Sequence, residues 1–418
     1  MLEELWDSTI SSMWFQLALL LALAMLSSMV FRRLGFSKVV GQIALGIIIG
    51  PSLLGLVVAE EGDAGDLVTL FAPFGAIIML FMIGLECDIR EIYTKKNILI
   101  AIGGITLPWV AGYLLAWYLL PEPGADYSRF YQSIFIGTAL VATSVAITAG
   151  VLREMGIIGS KVAKTILGAA VVDDILGMVV LAITAGVATG EGVDVTGLAQ
   201  ITIAAVAFVA LGSYLGMKVV VRVIGWVERI GMARGMKESG FLLALSFAFL
   251  YAFISELIGI SAIVGAFIAG TSFSACEYRK QFMEGIAFLE WVFAPIFFLS
   301  LGILVDIRLP AELWIFAIAL AAVAMLSKLI GGGIPAWLTG MNRRESISVG
   351  LGMAARLEVA MIIALYGLTE GIIDTPLYSA IIIMGVVSVL VAPTLLKVAV
   401  NKLGSSGESI VSESCELP

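Results

Sequence analysis

Phe81-Met82-Ile83-Gly84-Leu85-Glu86-Cys87-Asp88-Ile89-Arg90 and Leu299-Ser300-Leu301-Gly302-Ile303-Leu304-Val305-Asp306-Ile307-Arg308 are two apolar runs that end alike, with Gly, Asp, Ile and Arg in one register. One apolar run earlier in each case, Val40-Gly41-Gln42-Ile43-Ala44-Leu45-Gly46 resembles Val264-Gly265-Ala266-Phe267-Ile268-Ala269-Gly270. The order is the same in both halves. Packing alone puts small residues at regular spacing in Gly-rich membrane helices, but the shared Gly-x-x-x-Asp-Ile-Arg ending goes beyond small-residue spacing.

Whether such a repeat is parallel or inverted depends on how many times the chain crosses the bilayer. The chain has 418 residues, 60% of them hydrophobic and 13% charged. That is too little charge for a water-covered surface, so the expected class is an all-α polytopic membrane protein. Apolar runs of about 20 residues, enough for some 30 Å of hydrocarbon, are drawn at 12–31, 38–58, 68–86, 97–120, 130–151, 163–188, 198–223, 239–258, 259–275, 286–304, 312–339, 347–369 and 376–399. The pair meeting near Glu256 has almost no loop between its members, so hydropathy alone leaves the count open.

Basic residues test the count, because Lys and Arg concentrate on the cytosolic side. With thirteen spans, 20 of the 24 fall on alternate loops, from Arg32 and Arg33 through Arg343 and Arg344 to Lys402. Arg129 and Arg308 fall opposite, and Lys328 and Arg356 fall inside spans. The expected topology therefore has the N-terminus outside and the C-terminus cytosolic. The acidic residues 1–10 do not read as a cleavable signal. Residues 1–402 are read as one membrane domain and 403–418 as a short flexible cytoplasmic tail. With thirteen spans the matched runs lie seven apart, and an odd offset reverses the direction of crossing. The two units are then inverted repeats, the arrangement of alternating-access carriers.

Inverted repeats place substrate near the midplane, where discontinuous helices cross. The fifth span holds Ala142-Thr143-Ser144-Val145-Ala146-Ile147-Thr148-Ala149-Gly150, and the twelfth Gly350-Leu351-Gly352-Met353-Ala354-Ala355-Arg356-Leu357-Glu358. Both are polar interruptions where hydroxyls can satisfy backbone groups freed by unwinding. Thr143 and Ser144 are the expected ion-facing hydroxyls of the first.

Asp173 and Asp174 lie deep in the sixth span, in Val171-Val172-Asp173-Asp174-Ile175-Leu176-Gly177. One charge at a helix centre costs about 2.5–3.5 kcal/mol on the insertion scale, so two adjacent carboxylates must face water, a cation or each other. Lys328 in the eleventh span is the natural cation. A structural ion pair needs one anion for one cation, and the second Asp is the reason to read ion exchange here rather than packing. Arg356 and Glu358, two residues apart, are read as structural or orienting groups. Glu86, Glu256 and Glu290, near span ends, are read as interfacial or gating groups. There is no His, so proton chemistry falls to carboxylates and amines. Cys87, Cys276 and Cys415 have neither metal-site spacing nor an even disulfide count.

Taken together, these motifs resemble the cation/proton antiporter superfamily, in the electrogenic sodium/proton branch related to the Kef-type family. The resemblance covers about 38–399 and rests on Gly41 to Pro51, Gly84-Leu85-Glu86, the Thr143-Ser144 and Asp173-Asp174 stretches, Gly265 to Gly270 and Gly352 to Ala360. It implies that Asp174 carries the ion, Na+ or Li+, with Asp173 beside it and paired to Lys328. It also implies a core transport domain beside a dimerisation domain, a homodimer in the cell membrane, a part in pH homeostasis and no cofactor. Electroneutral relatives carry a Glu five residues before the ion-binding Asp, where this chain has Ala169. Relatives often read Met-x-Pro-Arg-Gly-Glu at 353–358, and here Ala355 and Leu357 depart from that pattern.

The expected function is exchange of Na+ (or Li+) for H+, with net charge movement and no enzymatic step. Partners are monovalent cations, protons and the bilayer, with no nucleic acid. A K+/H+ antiporter of the Kef type and a non-transporting membrane cation sensor are the alternatives. No Gly-x-Gly-x-x-Gly loop suggests nucleotide control. An intramembrane aspartyl protease needs its two Asp on separate helices in Tyr-Asp and Gly-x-Gly-Asp motifs, a pattern this chain lacks.

Overall fold

The computed structural model describes residues 12–34, 36–57, 63–87, 94–120, 128–188, 195–234, 236, 239–259, 261–274, 276–305 and 311–404. The Asp-Ile-Arg endings at 88–90 and 306–308, residues 1–10 and Cys415 lie outside them, as do the tail from 405 and the side chain of Glu358.

Among the described residues every regular element is a helix. In order they are α1 (Met13–Arg33), α2 (Lys38–Ile49), α3 (Asp63–Glu86), α4 (Lys95–Leu119), α5 (Arg129–Ala139), α6 (Val145–Glu154) and α7 (Lys161–Ala188). There follow α8 (Val195–Ala207), α9 (Ser213–Leu215), α10 (Val221–Ala233), α11 (Ser239–Leu257), α12 (Ala262–Phe273) and α13 (Arg279–Ile303). The last four are α14 (Ala311–Leu338), α15 (Arg343–Gly352), α16 (Glu358–Thr369) and α17 (Thr375–Gly404). Among the described residues seven stretches are long and apolar enough to cross a bilayer: Trp14–Arg33, Lys95–Leu119, Thr202–Ile230, Ser239–Leu257, Arg279–Ile303, Leu313–Leu338 and Thr375–Asn401. Lys38–Ile49, Pro73–Glu86, Ala262–Phe273 and Val359–Leu368 are shorter apolar helices.

Local chemistry accounts for the helix ends. Ser37, Thr94, Ser144 and Ser261 accept from backbone N–H groups in the first turns of α2, α4, α6 and α12, and Asn342 with Glu345 forms a full capping box on α15. α2 stops at Ile49, short of the run drawn to 58, because Pro51 forces Gly50 into an extended conformation (ψ 175°). The N–H groups of Leu54, Gly55 and Leu56 then fold back onto the carbonyls of Ile48, Gly50 and Ile49.

Helices α8, α9 and α10 continue one another through two π-turns, Phe208–Gly212 and Gly216–Val220. π-Turns release carbonyls from the regular ladder, and the Tyr251 hydroxyl donates to the Gly212 carbonyl at 2.7 Å.

Packing sorts the helices into two groups. α2, α3, α12 and α13 pack on one another, with α1 and α11 alongside; α4, α14, α15 and α17 form a second set with α5, α7 and α16. Glycines set the closest approaches. At the crossing of α2 and α13, Gly46 faces Gly302, and a Cβ on either would strike the backbone carbonyl of Leu299 or Ile43. At the crossing of α3 and α12, Gly84 faces Gly270, and the blocked carbonyls are those of Phe267 and Phe81. α4 meets α14 in the same manner at Gly103 and Gly331. Contacts this close are gained only where both helices lack a side chain.

Candidate functional site

Two helices that would otherwise be continuous are broken in mid-course. α5 ends at Ala139 and α6 begins at Val145; α15 ends at Gly352 and α16 begins at Glu358. The two gaps lie against each other. The Ser144 N–H donates to the Ala355 carbonyl at 2.8 Å, the Thr143 hydroxyl to the Met353 carbonyl at 3.2 Å and the Thr148 hydroxyl to the Gly352 carbonyl at 2.7 Å. Hydroxyls from one break thus satisfy carbonyls at the end of α15, which a buried helix end requires. At this crossing the positive N-terminal ends of α6 and α16 and the negative C-terminal ends of α5 and α15 stand close together.

α7 passes beside the crossing and carries both aspartates. Asp173 is fully buried, and Lys328 of α14, also fully buried, donates to both of its oxygens at 2.7 and 2.9 Å. Thr143 stands beside the same carboxylate. Gly104 of α4 lies against the pair: a Cβ there would sit in ordinary contact, 3.5 Å from Lys328 Nζ and 3.8 Å from Asp173 Oδ1. Asp174, one step round the helix, is only partly buried and lies within electrostatic range of Lys328. The two carboxylates therefore differ in access, one sealed by an ammonium and the other reachable.

Arg356, in the second break, is the largest fully buried side chain among the described residues. Its Nε and both Nη atoms make no hydrogen bond among the described residues, and it acts on Asp173 and Lys328 through its charge. Its backbone is held by Ser388 of α17, whose hydroxyl accepts from the Arg356 N–H at 3.0 Å and lies 2.9 Å from the Arg356 carbonyl. Sequence reasoning passed over Ser388 and Gly104; the only signals were one hydroxyl among apolar residues in Gly385-Val386-Val387-Ser388 and one member of Gly103-Gly104. Glu358 opens α16.

Away from the crossing, the end of α6 clasps the other helix group. Arg153 Nη1 lies 2.7 Å from Glu290 Oε2 of α13, and Arg153 Nη2 lies 3.7 Å from Glu86 Oε1 of α3. Glu154 accepts from the Lys38 N–H at 3.0 and 3.1 Å and from the Ser37 hydroxyl.

Among the described residues no group of three or more His, Cys, Asp or Glu side chains could hold a metal ion. The crossing instead offers one accessible carboxylate, backbone carbonyls and hydroxyls, a donor set of hard oxygens that suits an alkali cation passing through as cargo.

Comparison with known proteins covers nearly the whole chain. The family described as "Sodium/hydrogen exchanger, transmembrane" matches residues 18–402. The Na+/H+–K+ antiporter GerN of Bacillus cereus is 34% identical over 390 residues, covering 92% of this chain and 95% of its own. A Na+/H+ antiporter of Enterococcus hirae is 32% identical over 394 residues, covering 93% and 98%. Among solved structures, the sodium proton antiporter MjNhaP1 from Methanocaldococcus jannaschii superposes with a TM-score of 0.64 over 95% of this chain and 98% of its own, at 16% identity.

Proposed function

This chain belongs to the sodium/hydrogen exchanger family of cation/proton antiporters, and we propose that it exchanges Na+ or Li+ for protons by alternating access, moving net charge in each cycle. The observation that carries the reading is a sealed Asp173–Lys328 pair beside a partly accessible Asp174 at the crossing of two broken helices.

In this reading Asp174 is the carrier. Deprotonated and open to one side, it binds the cation together with oxygens near Thr143 and Ser144. The bound cation draws Asp173 away from Lys328, which gives up its proton. Arg356 and Glu358 orient the break, and the charge of Arg356 supports Asp173 while its ammonium partner is gone. After the site turns to the other side, protons return to Asp174 and Lys328 and the cation leaves. Two protons thus move against one cation, and membrane potential drives the cycle at about 2.3 kcal/mol per charge per 100 mV.

Alternating access is supported by the glycine crossings. If 40–46 corresponds to 264–270 and 81–90 to 299–308, an inverting two-fold exchanges Gly46 with Gly270 and Gly84 with Gly302. The Gly46–Gly302 contact then maps onto the Gly270–Gly84 contact, with the carbonyls of Leu299 and Phe81 exchanged as well. We read thirteen spans, the N-terminus outside, the C-terminus in the cytosol of a cell membrane, and a homodimer in which the α2–α3–α12–α13 group sits nearer the partner and the α4–α14–α15–α17 group carries the ion.

The name of GerN includes K+, which keeps K+ as a second cation to be tested. The experiment is a cation series in proteoliposomes, with Na+, Li+ and K+ each offered against a proton gradient. Proton flux coupled to Na+ or Li+ supports the reading, and binding without flux sinks it in favour of a sensor.

A further inference from the structure

Between α14 and the start of α15 lies a groove of about 450 Å³, within the ~300–1,000 Å³ of small-molecule sites. Leu329 and Gly333 form its more buried floor, Ile330, Ile334 and Ile347 line it more openly, and Trp337 and Arg343 are exposed. Gly333 keeps the floor low. A Cβ there would already come within 3.1 Å of the Ser346 carbonyl, and any larger side chain would enter the space. Ile330, Ile334 and Ile347 are 46%, 50% and 38% exposed. Ile330 and Ile334 belong to a helix long and apolar enough to cross a bilayer, and apolar side chains so exposed there suit contact with an acyl chain.

Arg343 adds a charge. Trp337 belongs to the residues that settle at the membrane–water boundary, and six positions on from it Arg343 is exposed, with Arg344 beside it. Lys161 pairs with Glu345 at 3.4 Å, and Lys96 lies within electrostatic range of both. Among the described residues Arg343, Lys161 and Lys96 therefore stand with the carboxylate of Glu345 beside an apolar slot. Arg suits phosphate because its guanidinium offers two parallel donors.

We propose that this groove binds one anionic phospholipid, an acyl chain along Ile330, Ile334 and Trp337 and the phosphate on Arg343. A zwitterionic lipid fits the slot equally but brings no net negative charge to Arg343. The occupant touches the ion machinery without entering it. Leu329 on the groove floor follows Lys328 in α14, and its carbonyl is the surface on which Gly350 of α15 rests. A lipid in the groove therefore braces the helix that carries Lys328 against the helix that leads into the Arg356 break.

The test is the melting temperature of the purified protein with added phosphatidylglycerol or phosphatidylcholine of identical chains, with bound lipid counted by native mass spectrometry. The expected result is a larger upward shift, and one retained lipid, with phosphatidylglycerol. Arg343→Gln should remove that excess, and so should Ile334→Trp, which keeps the charge and fills the slot. Arg222→Gln, a basic residue outside the groove, should keep it. Equal shifts with the two lipids would overturn the proposal. So would an excess that survives in both groove variants, because it would then come from charge spread over the whole cytosolic face.

Discussion

Lys328 and Asp173 come from helices 155 positions apart in sequence and meet in full burial, the ammonium 2.7 Å from one carboxylate oxygen and 2.9 Å from the other. Buried pairs are lopsided in energy: removing one partner strands a charge, at about 3–5 kcal/mol, whereas removing both together is far milder. Lys328→Gln should therefore destabilise the folded protein more than the double variant Asp173→Asn with Lys328→Gln. Denaturation in detergent of the two singles and the double closes the cycle. If the double variant loses as much as the sum of the singles, the two residues are not acting as a pair.

The glycine crossings make a matched prediction. Gly46 and Gly270 each sit where a Cβ would strike a backbone carbonyl, of Leu299 and Phe81 respectively. Backbone has little room to give, and overpacking costs typically ~1–3 kcal/mol. Gly46→Val and Gly270→Val should lower thermal stability by similar amounts. Gly177→Ala, whose nearest new neighbour is a Val141 methyl at 3.6 Å, should change it little. Unequal losses at 46 and 270 would count against an internal two-fold.

Ser388 is the fastening of the second break. Its replacement by Ala leaves the buried Arg356 N–H without its acceptor at 3.0 Å, a loss of about 1–3 kcal/mol. The transport signature should be a weaker apparent affinity for the cation, with Ser388→Thr restoring it. A change in maximal rate alone would mean that Ser388 does not position the site.

Arg153 joins α6 to Glu290 and Glu86 on the other helix group. With Arg153→Gln those two carboxylates lose their shared cation and repel each other, so this end of the contact should open more often. Cys87, buried next to Glu86, reports on it. In a background of Cys276→Ser and Cys415→Ser, a water-soluble thiol reagent should label Cys87 several-fold faster in the Arg153→Gln variant. Unchanged labelling would mean that the ion pairs decorate a contact held by packing.

Much of this was legible in the sequence because charge in an apolar helix is rare and therefore conspicuous. Asp173, Asp174, Lys328 and Arg356 stand out on that ground alone, and the hydroxyls at 143, 144 and 148 with the glycines at 350 and 352 marked where helices break. Composition does not say which broken segment touches which. The bond from Ser144 to the Ala355 carbonyl, the support of Arg356 by Ser388 and the two-carboxylate grip of Arg153 are all made between distant parts of the chain. The π-turns at Phe208–Gly212 and Gly216–Val220 left no mark in hydropathy, because an inserted residue in an apolar helix is simply another apolar residue.

The central claim is that Asp174 carries the cation while the Asp173–Lys328 pair couples a further proton to it. The most direct test is sodium-driven proton flux in proteoliposomes at clamped and imposed membrane potential, for the unaltered protein, Asp174→Asn and Lys328→Ala. The expected result is flux that responds to potential in the unaltered protein, no flux with Asp174→Asn, and residual flux with weakened response to potential with Lys328→Ala. Full sodium-dependent proton flux in Asp174→Asn would contradict it.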